Sequence, residues 1–190
     1  MFVLVENNSI IKTLNSNRGI TIGENQYPRS IYTVWSPAER EAIGIYEVVF
    51  DDSNRKDQKY YTNTNQSFNF ADGVATASYG SATAKELADV TEDGLTTSGL
   101  KTKHKKIIKQ QASGHLTPTD WHVAKATEVE SYSVPAEMTT YRAAVRTASN
   151  DMETLVDACT TVDELATLYT YTEQEDGTTT RPLGEFPEAV

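Results

Sequence analysis

The chain has 190 residues, a net charge of -10, 38% hydrophobic residues and a mean hydropathy of -0.50. That length suits one domain or two small ones, and the acidity works against nucleic acid and anionic membrane as partners. A single cysteine, Cys159, excludes an internal disulfide and a cysteine-based metal cluster.

The charge is uneven. Residues 1–100 hold 8 basic and 13 acidic side chains, residues 101–125 hold 6 and 1, and residues 126–190 hold 3 and 13. The basic island is therefore suited to meet acidic segments of the same chain or of a neighbouring subunit. Met1 to Glu6 has no basic lead-in and too short an apolar run for a signal peptide. No stretch approaches the roughly 20 apolar residues of a membrane span. Synthesis in a cytoplasm is the expectation.

Phe2–Val5 and Ile10–Leu14 flank a polar Asn7-Asn8 pair and predict a β-hairpin. Residues 15–30 read as loop. Ser36-Pro37-Ala38-Glu39 predicts a helix start with a capping box, and Gly44 suits its end. Trp35 is expected to staple onto the stem of Arg40. Ile45–Phe50 and Lys59–Thr64 read as strands on either side of a charged loop. Ser67–Phe70 and Val74–Tyr79 flank Asp72-Gly73, a hairpin signal. The front half, residues 1–83, is expected to be a small antiparallel sheet carrying one short helix.

From Ala84 the pattern changes, and residues 84–99 read as a linker. Leu100 to Ser113 has Leu100, His104, Ile107, Ile108 and Gln111 at helical spacing, with Gly114 as the stop. Thr117-Pro118-Thr119-Asp120 repeats the capping logic ahead of Trp121. From Pro135 a longer helix carries Met138, Tyr141, Val145, Ala148, Met152 and Leu155 as a core stripe. Thr161–Glu164 is another capping box before Leu165 and Leu168. The expected fold class is α+β, with a helical hairpin or bundle over residues 100–170 and an acidic extended tail over 171–190.

Catalytic signatures are not found: the chain has no Gly-rich phosphate loop, no His-Glu-x-x-His and no Gly-x-Ser-x-Gly. His115, Asp120 and His122 lie close in sequence, but helix-end histidines explain them more simply than a metal site. Cys159 sits among acidic residues that oppose thiolate formation and reads as a spectator. The lysines 101, 103, 105, 106 and 109 lack the interleaved aromatics and arginines of nucleic-acid readers, and fit a solvated flank or an acidic partner. No enzyme, cofactor or metal is expected.

The string Lys109-Gln110-Gln111-Ala112, Leu116-Thr117-Pro118-Thr119-Asp120-Trp121, Glu128, Val134-Pro135 and Tyr141-Arg142-Ala143-Ala144-Val145-Arg146 is distinctive. It resembles a pattern of phage tail assembly chaperone-like and tail-fibre-associated proteins. The resemblance covers residues 100–170, with a looser likeness at Tyr27-Pro28 and Glu39 to Gly44. Lys125, Val145 and Ser131-Tyr132 depart from the usual Arg, Leu and Gly-containing turn. The resemblance implies a structural protein of the virion tail or baseplate that joins fibre or tail components, within a homo- or hetero-oligomer. The alternative it implies is an assembly chaperone absent from the virion. Thr117, Asp120, Trp121, Glu128, Pro135, Tyr141, Arg142 and Arg146 are the expected motif residues. Trp121 is expected to be buried under a Thr117-capped helix start, with Arg142 and Arg146 pairing to Glu128 or Asp151. A docking face at Trp121 and Arg146 is the competing reading.

Overall fold

A computed structural model describes residues 1–189, and over them the chain is mixed α+β. It divides into two compact units, residues 1–83 and 84–190.

The first unit opens with β1 (Phe2–Glu6) and β2 (Ser9–Leu14), an antiparallel hairpin turned by Asn7 and Asn8, both at positive φ. Residues 20–27, expected as loop, fold into a second hairpin, β3 (Ile20–Ile22) and β4 (Asn25–Tyr27). A single turn, α1 (Ile31–Val34), then precedes α2 (Pro37–Glu41). The expected capping box is present at α2: the Ser36 N–H donates to Glu39 Oε2 at 2.7 Å, and Ser36 Oγ accepts from the Glu39 N–H. Trp35 meets Arg40 through its backbone. Its carbonyl accepts from the Arg40 guanidinium, while its ring meets Tyr27 edge-on at 5.8 Å. Arg40 itself is buried over the Phe2 ring.

The main sheet has the order β2-β1-β5-β8-β7, where β5 is Ile45–Asp51, β7 is Ser67–Ala71 and β8 is Val74–Ser78. It is mixed, not purely antiparallel, because β5 and β8 run parallel in the register Val48↔Ala75. The Asp72-Gly73 hairpin forms as the sequence suggests, but it turns β8 inward against β5 and leaves β7 outside. Local pattern does not encode which hairpin arm docks. The two outer strands, β2 and β7, approach each other, so the sheet curls. One face carries Val3, Val5, Val48, Ala75 and Ala77, with Ile10, Phe68 and Phe70 packed against them. The other carries Phe2, Leu4, Leu14 and Ile45, covered by Ile31 and Tyr32. Of the expected strand at 59–64 only β6 (Tyr61–Thr62) remains, paired with β9 (Thr83–Ala84) where the unit ends.

In the second unit, residues 84–99 are not a structureless joint. They hold the hairpin β10 (Val90–Glu92) and β11 (Leu95–Thr97), turned at Asp93-Gly94. Helix α3 (Leu100–Leu116) runs through Gly114, because Leu116 is drawn onto the core cluster of Ala112, Met138, Tyr141 and Val145. It buries Leu100, His104, Ile108 and Ala112, a strict step of four that leaves Ile107 and Gln111 outside. A 3-10 turn (Thr117–Thr119) leads into α4 (Asp120–Glu128), and α5 (Ala136–Ala158) packs along α3. The buried stripe of α5 follows Met138, Tyr141, Val145 and Met152 as expected, but Ser149 and Val156 are buried where Ala148, half-buried, and Leu155, exposed, were expected. A helix of 3.6 residues per turn drifts in this way against steps of three and four. The Thr161–Glu164 box caps α6 (Val162–Leu168). The segment expected as an extended tail forms the hairpin β12 (Thr172–Glu173) and β13 (Thr179–Thr180), and Leu183 beyond it is buried. Among the described residues no helix is long and apolar enough to cross a membrane.

Gly44 ties α2 to the sheet. Its φ is +80°, its carbonyl accepts from the Val5 N–H at 2.8 Å, and an added β-carbon would lie 2.6 Å from the Val5 carbonyl. Gly44→Ala is expected to cost more than about 1 kcal/mol in urea denaturation; an unchanged midpoint would contradict this role.

Candidate interaction surface

The motif residues centre on the corner between α3 and α4. Pro118 has no N–H to donate and pulls the end of α3 into a 3-10 turn. Thr117 does not cap α4. Its Oγ1 donates back to the Ser113 carbonyl at 2.8 Å, inside α3. The turn is held instead from α5. Arg142, 9% exposed, donates to the Leu116 carbonyl at 3.1 Å and to Thr119 Oγ1, and pairs with Asp120 at 2.8 Å. Arg142 was expected to meet Glu128 or Asp151; the ion pair with Asp120 replaces that pairing. Arg146 donates to the Arg142 carbonyl at 3.3 Å. Glu128 is exposed at the end of α4, and Pro135 occupies the cap position before α5 without contributing to the corner.

Trp121 is not buried. It is 54% exposed, and α4 as a whole contains no buried residue. Asp120 points toward Arg142, which fixes the helical phase that leaves the indole outside. The ring stacks on His122 at 3.7 Å between centroids, and Tyr132 lies 6.2 Å from His122. His122 Nδ1 and the Tyr132 hydroxyl share a hydrogen bond, and Lys125 Nζ sits 4.4 Å over the Tyr132 ring. The result is a preorganised cluster of three rings and one cation on the outside of a helix. Beside it, a cavity of about 330 Å3 is lined by His115, Thr119, Trp121, His122, Met138 and Tyr141, among others. Tyr141 is buried, with its hydroxyl 3.0 Å from His115 Nδ1.

The sequence reading missed Thr119, Tyr132 and the pairing of His115 with Tyr141. Thr119 was legible only as part of a Thr-Pro-Thr turn. Tyr132 lies in a segment with no periodic signal.

The basic helix meets acid within its own unit. Lys101 donates to the Asp157 carbonyl, Lys105 pairs with the Asp157 carboxylate at 2.8 Å, and Lys109 pairs with Glu153 at 3.2 Å. The hydrogen bond that Lys105 donates to the Asp157 carboxylate raises the Lys105 pKa. Such partly exposed pairs contribute about 0–1 kcal/mol each and set helix register more than stability. Cys159 is buried and its Sγ lies 3.4 Å from the Leu155 carbonyl. Burial, then the charge of Glu164, pushes its thiol pKa up, which disfavours the nucleophilic thiolate. Among the described residues, no three His, Cys, Asp or Glu side chains gather as a metal site.

No protein family, curated protein or solved structure matches this chain.

The corner makes opposite demands on its two most prominent side chains. Trp121→Ala is expected to cost less than about 1 kcal/mol. Arg142→Ala leaves the Leu116 carbonyl and the Thr119 hydroxyl with only their 2.6 Å bond to each other and Asp120 without its ion partner, and is expected to cost about 1–3 kcal/mol. Chemical denaturation of the two variants checks this, and the reverse order would contradict the assignment.

Proposed function

We propose that the chain is a structural protein of a phage virion, in the tail or baseplate region, joining fibre or tail components through protein–protein contacts. The observation that carries the contact role is the exposed Trp121, stacked on the half-buried rings of His122 and Tyr132, on a helix with no buried residue of its own. An indole half exposed leaves on the order of 100 Å2 for a partner to cover, worth about 2–3 kcal/mol at 25 cal/mol per Å2. Interfaces concentrate their energy at aromatic anchors of this kind. Rigid mounting through Arg142 lowers the entropy lost when a partner binds. The assignment to a tail is supported by the resemblance of the motif around Thr119, Asp120 and Trp121, which is the same element that presents the cluster.

Mass spectrometry of purified particles tests the role. The chain is expected at fixed stoichiometry with tail components. Trp121→Ala is expected to lower its incorporation at least about tenfold while its cellular level and circular dichroism stay unchanged. Absence of the wild-type chain from finished particles would contradict a virion role and favour a released assembly chaperone.

A further inference from the structure

Beside α1 the first unit holds a pocket of about 270 Å3, walled by the end of β2, the loop over residues 15–19, β3 and α1. Lys12 stands two residues before Leu14 on β2, and side chains two apart share a sheet face. Leu14 belongs to the face that α1 covers, so Lys12 does too. Arg18 comes from the loop. The lining holds these two cations and no carboxylate, a local inversion in a chain of 27 acidic and 17 basic residues.

The polar side chains of the pocket are unengaged. Lys12, Thr13, Asn15, Arg18, Thr21 and Tyr32 line it, and among the described residues none of these side chains makes a hydrogen bond or ion pair. For the exposed ones this is ordinary. For Tyr32 it is not: the residue is 6% exposed, with its ring 5.1 Å from that of Phe2. A buried phenol usually finds a hydrogen-bond partner, because desolvating it unpaired is costly. The Tyr32 hydroxyl has no such partner among the described residues and is not sealed in the core, so it opens onto the pocket. Burial raises its pKa, which keeps it protonated as a donor.

The walls are held in place by the fold. Arg29 donates through Nε to the Ser16 carbonyl at 3.2 Å, tying the loop to the segment before α1. At Gly19 an added β-carbon would lie 2.4 Å from the Tyr27 carbonyl, so the loop runs where only glycine fits. Leu14 and Ile20 supply an apolar side. Two cations without a carboxylate match a phosphate monoester, which carries close to two negative charges where a carboxylate carries one. The volume falls just under the roughly 300–1,000 Å3 of sites for drug-sized ligands, which suits one sugar ring and is too small for a dinucleotide. The Tyr32 ring is packed on Phe2 and offers no face to a base. Thr13, Asn15 and Thr21 both donate and accept, as sugar hydroxyls require.

We propose that this pocket is a binding site for a monosaccharide phosphate, in which Lys12 and Arg18 supply the charge and Tyr32 the buried donor. The site belongs to the first unit and owes nothing to the contact role of Trp121.

Calorimetric titration of the full chain at low salt, with glucose phosphorylated at its primary hydroxyl, tests this. Binding is expected with a dissociation constant below about 1 mM, and at least about tenfold weaker for inorganic phosphate and for glucose. Arg18→Gln is expected to weaken it at least about tenfold and Tyr32→Phe at least about threefold. Circular dichroism should be unchanged in both, since neither side chain leaves a polar partner behind. Lys106→Gln, the same loss of charge in the second unit, is expected to bind as the wild type does. A wild-type chain that does not bind the ester at millimolar concentration would overturn the proposal. Inorganic phosphate or glucose binding as tightly as the ester would overturn it equally. So would full-strength binding by Arg18→Gln and Tyr32→Phe, or a loss in Lys106→Gln as large as in Arg18→Gln.

Discussion

The second unit depends on one buried guanidinium. Arg142 projects from the middle of α5 into the corner where α3 stops, and there it meets a carbonyl, a hydroxyl and a carboxylate. The last carbonyls of any helix lack partners within it, and the Leu116 carbonyl is one of these. Removing a guanidinium from water is costly unless its donors are satisfied, and here three acceptors gather around one of its nitrogens, Nη1. This is the physical reason that the Tyr-Arg pair and the Thr-Asp-Trp run, 20 residues apart in sequence, form one feature in space.

A consequence is the freedom of α4. A helix of nine residues is too short to be stable alone, and this one has no buried face to compensate. Its position comes from the Asp120 ion pair at its start and from the ring contacts of His122 and Tyr132 along its length. Because anchoring runs through polar atoms at one end, the apolar surface of Trp121 is not consumed in the fold. The same division of labour holds on α3, where Leu100, His104, Ile108 and Ala112 pack inward while the lysines reach sideways to Glu153 and Asp157. The core is thereby narrow, and several faces of a small unit are left to carry contacts.

The parts of this fold that were legible in the sequence are those fixed by neighbours in the chain. The Asn7-Asn8 and Asp72-Gly73 turns and the capping boxes at Ser36 and Thr161 each depend on local stereochemistry. All are present. The parts that were not legible depend on distant partners. Nothing local makes β8 choose β5 in parallel, and nothing in residues 84–99 or 172–180 signals hairpins beyond Asp93-Gly94 and Asp176-Gly177. Trp121 was the instructive error. An indole next to a capping sequence reads as buried weight, but the phase of α4 is set by where Asp120 finds Arg142, and that phase turns the ring outward. The motif was found; its inside and outside were exchanged.

If Arg142 is what holds α4 in place, its removal should release that helix before anything else. Hydrogen exchange of backbone amides in the wild-type chain and in Arg142→Met measures this residue by residue. The account predicts that amides of residues 123–128 lose at least about tenfold of their protection in the variant, while those in the interior of α5 keep theirs. Unchanged protection across α4 would contradict it.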